Sequence, residues 1–305
     1  LPSPTPPPLI PQRLLTGGEA ARRESPVSLL IKIGKGRSKH FERPFVWARE
    51  RKEVRGREHI FLALNTTSNI LSDLTVRKAI AESIDKTSIT SNVYGNKYYT
   101  CNFPLEYGSW LYNSSKNSNI NYNLEQAKQE LVDNGWSYKN QSWQKYLNNK
   151  TQKISLNFVV KASDESKKAV AENIKTQLEN QGIRINLIYA SDTQYESYLQ
   201  NKNYDIILCS NYLGISPDMT TFFGEGNLAN YSNEEITQIM NEVKNTTDEK
   251  ILKEKYEKLE QIYNTQIPYI SLANSKYNVL YNSNLVGDVS PNWYNVFYNI
   301  EGWYK

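Results

Sequence analysis

Apolar and polar residues alternate along two stretches in the middle of the chain, 154–160 and 183–189, and this period of two is typical of half-buried β-strands. Between them, apolar residues recur at a spacing of four, which predicts a helix over 163–182 that ends at a glycine. A strand–helix–strand order makes the two strands parallel, with a right-handed crossover. A third apolar run at 204–208 predicts another strand of the same sheet. The predicted fold class is therefore α/β.

Weaker patterns on both sides of this unit predict the remaining elements. A buried strand is expected at 60–65, and short strands are expected at 269–272 and 277–281. Side chains that can cap a helix precede several apolar stripes of helical spacing. The predicted helices begin after Asp73, after Asn123 (ending at Gly135) and near Gln194, and two more span 233–243 and 249–263.

Residue usage changes sharply near residue 58. Residues 1–58 hold nine arginines and four lysines against six glutamates, six of their first eleven residues are prolines, and they contain no tyrosine, asparagine or aspartate. Residues 59–305 hold all 22 tyrosines and only two arginines. We therefore expect 1–58 to be a separate basic, Pro/Arg-rich segment, disordered or of foreign origin. The mixed charge run at 49–57 is expected to be solvated, since its glutamates weaken the alternative of a nucleic-acid-binding arm.

Few residues are available for the common kinds of catalytic or metal site. Histidine occurs only at positions 40 and 59, which excludes a histidine-based triad or zinc site from the main body, and the two cysteines form no metal-binding motif. No carboxylate pair stands out as hydrolytic, although the abundance of carboxylates leaves that alternative open. The first residues lack the pattern of a signal peptide, so any export signal is expected to be missing from this chain.

A series of short motifs runs in one order from Leu64 to Tyr304. The motifs are Leu64-Asn65, Leu71–Ile80, Ile84–Lys86, Val93–Gly95, Pro104, Asn123–Trp136, Ala171–Ile174 with Gly182-Ile183, Tyr204-Asp205, Tyr231–Asn233, Ile267–Ile270 and Asn299–Tyr304. Together they resemble the solute-binding proteins for peptides, dipeptides and nickel, extracellular family 5, which serve ABC importers. The resemblance covers the C-terminal half of that family's chain.

This resemblance implies the type II fold of periplasmic binding proteins, a clamshell of two lobes that closes on its ligand. Residues 59–275 would form one α/β lobe, and 276–305 would return toward the first lobe, whose absence is expected to impair binding. The implied function is to capture oligopeptides outside a bacterial membrane, as a membrane-anchored surface protein, for an ABC permease. The family implies no enzyme activity, cofactor, nucleic-acid partner or stable oligomer. Nickel complexes or other solutes remain alternative ligands.

The resemblance also points to the loop after the strand at 204–208 as the ligand site. In the family an aspartate of this loop often pairs with the α-amino group of a peptide, but here its position falls at Gly214 or Ile215. A neutral site that uses backbone groups is therefore expected, with Gly214, Ile215 and Ser216 in contact with the ligand. Tyr212 is a candidate for stacking on it, and Asp218 is a candidate contact or a helix cap. Trp110, in a Gly-Ser-Trp loop, is a further candidate.

Overall fold

The computed structural model describes residues 49–105, 109–111, 120–147, 149–214 and 218–304. The strands are β1 (Arg49–Leu64), β2 (Tyr98–Thr100), β3 (Ser137–Lys139), β4 (Ser142–Leu147), β5 (Lys150–Lys153), β6 (Ser155–Lys161), β7 (Arg184–Ala190), β8 (Ile206–Tyr212), β9 (Tyr269–Asn282), β10 (Val286–Gly287) and β11 (Trp303–Tyr304). The α-helices are α1 (Leu74–Glu82), α2 (Lys86–Ser88), α3 (Leu124–Asp133), α4 (Glu165–Asn180), α5 (Asp192–Asn201), α6 (Thr220–Phe223), α7 (Glu234–Lys244) and α8 (Glu249–Gln266).

A six-stranded mixed sheet in the order β2-β9-β1-β8-β6-β7 is the centre of the fold. Strand β6 pairs in parallel with β7 on one side and with β8 on the other. The remaining pairs of this sheet, which involve β1, β2 and β9, are antiparallel. The predicted parallel unit of three strands with a helical crossover is therefore confirmed. The strands β3-β4-β5 and β10-β11 form two further small sheets, separate from the main one.

Helix α4 shows how local chemistry sets the ends of the crossover helix. Its cap is Asp164 and not Ser163, because the Asp164 carboxylate accepts a hydrogen bond from the backbone N–H of Lys167 at 3.0 Å. After the helix, Gly182 adopts a φ of +78°, a left-handed conformation that favours glycine. A Cβ at Gly182 would also collide with the ring of Tyr138. The glycine that the sequence predicts at the end of this helix is thus required both by the backbone conformation and by the neighbouring ring.

Strand β1 crosses the boundary that composition predicts at residue 58. Its second half, 58–64, lies between β8 and β9. Its first half, 49–55, pairs with residues 276–282 of β9, so the two strands leave the sheet as a ribbon. The run 49–57 is therefore ordered backbone, in which the charged residues 50–53 and Arg55 are exposed and Val54 is buried. Residues 1–48 lie outside the described residues.

The ribbon and the sheet are joined at an irregularity in the pairing of β1 with β9. Arg55 pairs with Lys276 and His59 pairs with Asn274, so three residues of β1 face a single residue of β9, which is a β-bulge. At the bulge, the backbone N–H of Glu58 donates to the Ser275 hydroxyl at 3.1 Å instead of to a ladder carbonyl. The two short strands expected at 269–272 and 277–281 are parts of the single strand β9, so the boundary predicted at 275 also falls inside a strand.

Helices cover both faces of the main sheet. One apolar cluster packs α1, α3 and α4 against one face, and a second packs α5, α6, α7 and α8 against the other. Alternate residues of β1, β6 and β8 enter different clusters, as in β1, where Ile60 and Leu62 belong to the first and Phe61 to the second. The result is a three-layer α/β/α arrangement. Among the described helices, none combines the length and the apolar composition that a membrane span requires.

Candidate ligand-binding site

The carboxyl ends of β6, β7 and β8 lie at one edge of the sheet, because these three strands are parallel. In open α/β sheets, ligands bind in the crevice outside this edge. The antiparallel neighbour β1 brings its bulge to the same edge, since Glu58 pairs with Tyr212 at the end of β8. The candidate site is therefore built from the loop after β8 and from the bulge of β1.

Tyr212 is the last residue of β8 and is 76% exposed. Its side chain lies on the α4 face, because the strand alternates and Leu208 packs in the cluster of that face. Gly214 follows in the loop and is exposed. Two of the predicted ligand contacts, Tyr212 and Gly214, thus lie together at the edge of the sheet. Ile215 and Ser216 lie outside the described residues.

Arg57 fixes the start of this loop. The backbone N–H of Leu213 donates to the Arg57 carbonyl at 2.9 Å, and the Arg57 Nε donates to the Leu213 carbonyl. The guanidinium also lies over the ring of Trp293, 4.5 Å from its centroid. Arg57 therefore holds together the bulge, the loop after β8 and the C-terminal segment. No sequence pattern singled out Arg57, because its neighbours place it in the basic segment.

Asp218 and Trp110 lie with the helices of the opposite face. The Asp218 carboxylate accepts from the backbone N–H of Thr220 at 2.9 Å, which is the turn or cap role that was the alternative to ligand contact. Burial and then the charge of Asp218 raise the pKa of Tyr256, on α8, to about 12. Trp110 is 48% exposed, and its ring centroid is 5.6 Å from the ammonium of Lys253, also on α8. The structure thus does not bring these two residues to the face of Tyr212.

A group of tyrosines that the sequence did not single out surrounds Glu58. The Tyr98 hydroxyl donates to Glu58 Oε2 at 2.7 Å. The rings of Tyr94 and Tyr98 are stacked with centroids 3.9 Å apart. Burial, followed by the negative charge of Glu58, raises the pKa of both phenols. Glu58 was predicted to lie in the foreign segment, and only the strand pairing, which is not local in sequence, reveals its position.

A buried polar network lies on the other face of the sheet at the same edge. His59 is fully buried, with Nδ1 2.6 Å from Asn274 Oδ1 and Nε2 3.2 Å from the Ser271 hydroxyl. The Cys101 thiol is 3.5 Å from the same Nδ1. Burial lowers the pKa of His59 to about 4, an effect that the hydrogen bond to Asn274 opposes. His59 is therefore a neutral residue that supports the edge from inside, close to Glu58 in sequence but facing away from it.

Comparison with known proteins gives the family. The model of the bacterial extracellular solute-binding proteins, family 5 (middle), matches residues 15–233, a range that begins inside the segment set apart by composition. The oligopeptide-binding protein AppA of Bacillus subtilis is 23% identical over 256 residues, 81% of this chain and 46% of AppA. Heme-binding protein A of Haemophilus influenzae is 24% identical over 258 residues, 81% of this chain and 45% of that protein.

Solved structures show the same fold. The structure of Bacillus subtilis AppA with a nonapeptide matches at a TM-score of 0.68 and 22% identity, covering 84% of this chain and 52% of that one. NikZ of Campylobacter jejuni with Ni(L-His) matches at 0.66 and 20%, covering 84% and 54%. The chain thus spans about half the length of its relatives. The relatives are solute-binding proteins and not enzymes, and the expected type II fold is confirmed. This chain belongs to the bacterial extracellular solute-binding proteins of family 5.

Proposed function

We propose that this chain forms a ligand-contacting lobe of the substrate-binding component of an ABC importer, and that it captures oligopeptides outside the membrane for a permease. The observation that carries the proposal is the anchored loop after β8, which presents Tyr212 and Gly214 at the carboxyl edge of the parallel strands. AppA, a relative named as oligopeptide-binding, supports peptide as the ligand class. Heme and a nickel–histidine complex, named for other relatives, are the rival ligands.

An extended peptide fits such a loop through its main chain. Backbone N–H and C=O groups of an exposed loop can pair with those of the ligand, whatever its side chains. Gly214 has no side chain to hinder this approach, and Tyr212 offers an exposed aromatic ring beside it. Aromatic rings commonly supply the apolar contact area in ligand sites. The loop therefore suits ligands that share a backbone and differ in sequence.

The ribbon of β1 and β9 is the proposed connection to the other lobe. Its two strands carry the chain out of the main sheet side by side, joined by their own hydrogen bonds. Both backbones stay paired outside the sheet, so a change in the angle of the ribbon does not require unfolding of the lobe. The segment after β9 packs back on the ribbon, where the Tyr277 hydroxyl donates to the Asn292 carbonyl at 3.3 Å. We assign lobe closure to this ribbon.

Saturation-transfer NMR with a mixture of di- to hexapeptides, hemin and the nickel–histidine complex tests the ligand class. Binding by this chain is expected to be millimolar. One lobe supplies about half of the contacts, and losing even about 4 kcal/mol weakens a micromolar complex roughly a thousandfold. Peptide signals should decrease in Tyr212→Ala and remain in Tyr146→Ala, which removes an exposed tyrosine from β4. Signals from hemin or nickel alone, or equal signals in both variants, would contradict the proposal.

A further inference from the structure

The carboxylate of Glu58 can form an ion pair for which the described residues supply no cation. It is partly buried at the candidate ligand edge, and one of its oxygens accepts the Tyr98 hydroxyl at 2.7 Å. Within the described ranges, no lysine or arginine forms an ion pair with it, whereas Glu53 on the same strand pairs with Lys276 at 2.9 Å. A partly buried carboxylate next to a binding crevice therefore retains capacity for a cation.

Three tyrosines complete the surroundings of this carboxylate. Tyr212 stands directly opposite Glu58 in the antiparallel ladder, which places the two Cβ atoms about 4.5–5.5 Å apart on one face. Tyr98 is bonded to Glu58, and the Tyr94 ring stacks on Tyr98. Tyr94 is only 7% exposed, and its buried hydroxyl has no hydrogen-bond partner in the described structure. Because an unpaired buried hydroxyl is costly, this atom is an available acceptor at the cluster.

The charges around the cluster select the sign of a ligand group. Glu58 and Asp164 both act on the Tyr94 phenol and, after burial, raise its pKa. Asp164 is already paired with Lys167 at 2.8 Å, which leaves Glu58 as the unpaired charge. An anion would be repelled there, whereas a cation would meet a carboxylate, phenol oxygens and the negative faces of aromatic rings.

We propose that Glu58, Tyr94, Tyr98 and Tyr212 form a subsite for a cationic group of the ligand, an ammonium or a guanidinium. The inference rests on the proposed function and narrows it to ligands that carry such a group near the β8 loop. The acidic partner of the cationic group comes from strand β1, which pairs with β8. The loop after β8 cannot supply it at Gly214, because glycine has no side chain. The group can belong to a peptide's amino terminus or to a basic side chain, and the experiment separates these two sources.

Three blocked or unblocked tripeptides serve as probes. Acetyl-Ala-Lys-Ala-amide carries a side-chain cation, Ala-norleucine-Ala-amide carries a terminal cation, and acetyl-Ala-norleucine-Ala-amide carries none. Each is titrated by NMR into the full chain, into Glu58→Gln and into Glu165→Gln. The last variant removes the exposed carboxylate of Glu165, which pairs with Lys168 at the start of α4. At least one cationic probe should bind roughly tenfold more tightly than the neutral probe, as expected for a charge-assisted hydrogen bond.

The variants decide whether this preference belongs to Glu58. Glu58→Gln should abolish the preference for a cationic probe over the neutral one, and Glu165→Gln should retain it. In Tyr94→Phe the preference should fall at least threefold while the melting temperature holds or rises, because an unpaired buried hydroxyl is removed. The subsite would be overturned, and the proposed function left standing, by either of two results. The first is that the neutral probe binds as tightly as the cationic probes, and the second is that the preference for a cationic probe survives Glu58→Gln. No binding by any probe would overturn both the subsite and the proposed function.

Discussion

Acidification should destabilise this protein through His59. The residue is fully buried, and its folded-state pKa is about 4 against an ordinary value of 6.5, chiefly because burial penalises the charged imidazolium. Since the folded pKa is lowered, the unfolded chain binds more protons as the pH falls below 6.5. The stabilisation from the neutral residue is therefore complete above pH 6.5 and is lost progressively as the pH falls toward 4.

The size of the effect follows from the shift. One pKa unit corresponds to about 1.4 kcal/mol, so a shift from 6.5 to about 4 is worth roughly 3 kcal/mol of unfolding free energy. A loss of that size is a large part of the stability of an ordinary domain, roughly 5–15 kcal/mol. Two glutamates act in the opposite direction in a similar pH range. Burial raises the pKa of Glu82 and of Glu260 to about 7, and their contribution to stability is lost as the pH rises through that value.

Because of these opposing groups, the assay compares two proteins rather than one. Urea unfolding between pH 7.5 and 4 is measured for the natural chain and for His59→Gln, which removes the titration and retains a polar side chain beside Asn274. The variant is expected to be less stable at neutral pH and to lose less stability on acidification, so that the two curves converge by roughly 3 kcal/mol. Parallel curves would show that His59 does not titrate as burial requires and would refute the reasoning.

Three further predictions concern the loop anchor, a turn and strand β1. Arg57→Ala should weaken the binding of neutral and cationic tripeptides alike by roughly tenfold, because the β8 loop loses its anchor, whereas Arg57→Lys should recover part of the affinity in the same NMR titrations. Gly182→Ala should lower the free energy of unfolding by about 1–2 kcal/mol more than Gly226→Ala in urea titrations, because both glycines have positive φ but only Gly182 faces a ring. Limited proteolysis should spare β1 and leave a resistant core that includes residue 49, because the backbone of β1 is paired with β9; a first cut within 49–58 would contradict the strand.

The sequence predicts the central unit well because its information is local. Alternation in β6 and β7 and a spacing of four in α4 report directly which side of each element is buried. The first half of β1 lacks this signal for a physical reason. A two-stranded ribbon outside the sheet exposes most of its side chains, so charged residues are tolerated at nearly every position and Val54 is the exception. Composition therefore assigned the first half of β1 to a separate segment, although its pairing with β9 makes it part of the fold.

The same limit applies to the candidate site. The position of Tyr212 at a strand end could be read from the chain, since it follows an apolar run. The role of Glu58 depends on its register with Tyr212, across a sequence separation that no periodicity reports. Asp218 was a candidate because it is the acidic residue nearest to the loop, but its bond to the Thr220 backbone satisfies a local turn. Proximity in sequence was a poor guide to which carboxylate lies beside Tyr212.

The β-bulge of β1 has a mechanical consequence for ligand recognition. Arg57 and Glu58 lie within the irregularity where the ribbon leaves the sheet, so the anchor of the β8 loop and the proposed ligand contact both lie at the base of the ribbon. A bulge is a point where a strand bends and twists most readily. A bend at the bulge turns the Glu58 carboxylate in place but moves the far end of the ribbon, near Arg49 and Asn282, along an arc. If a ligand bound at Glu58 rotates the ribbon about the bulge, a small rotation there would produce a much larger displacement near Arg49 and Asn282.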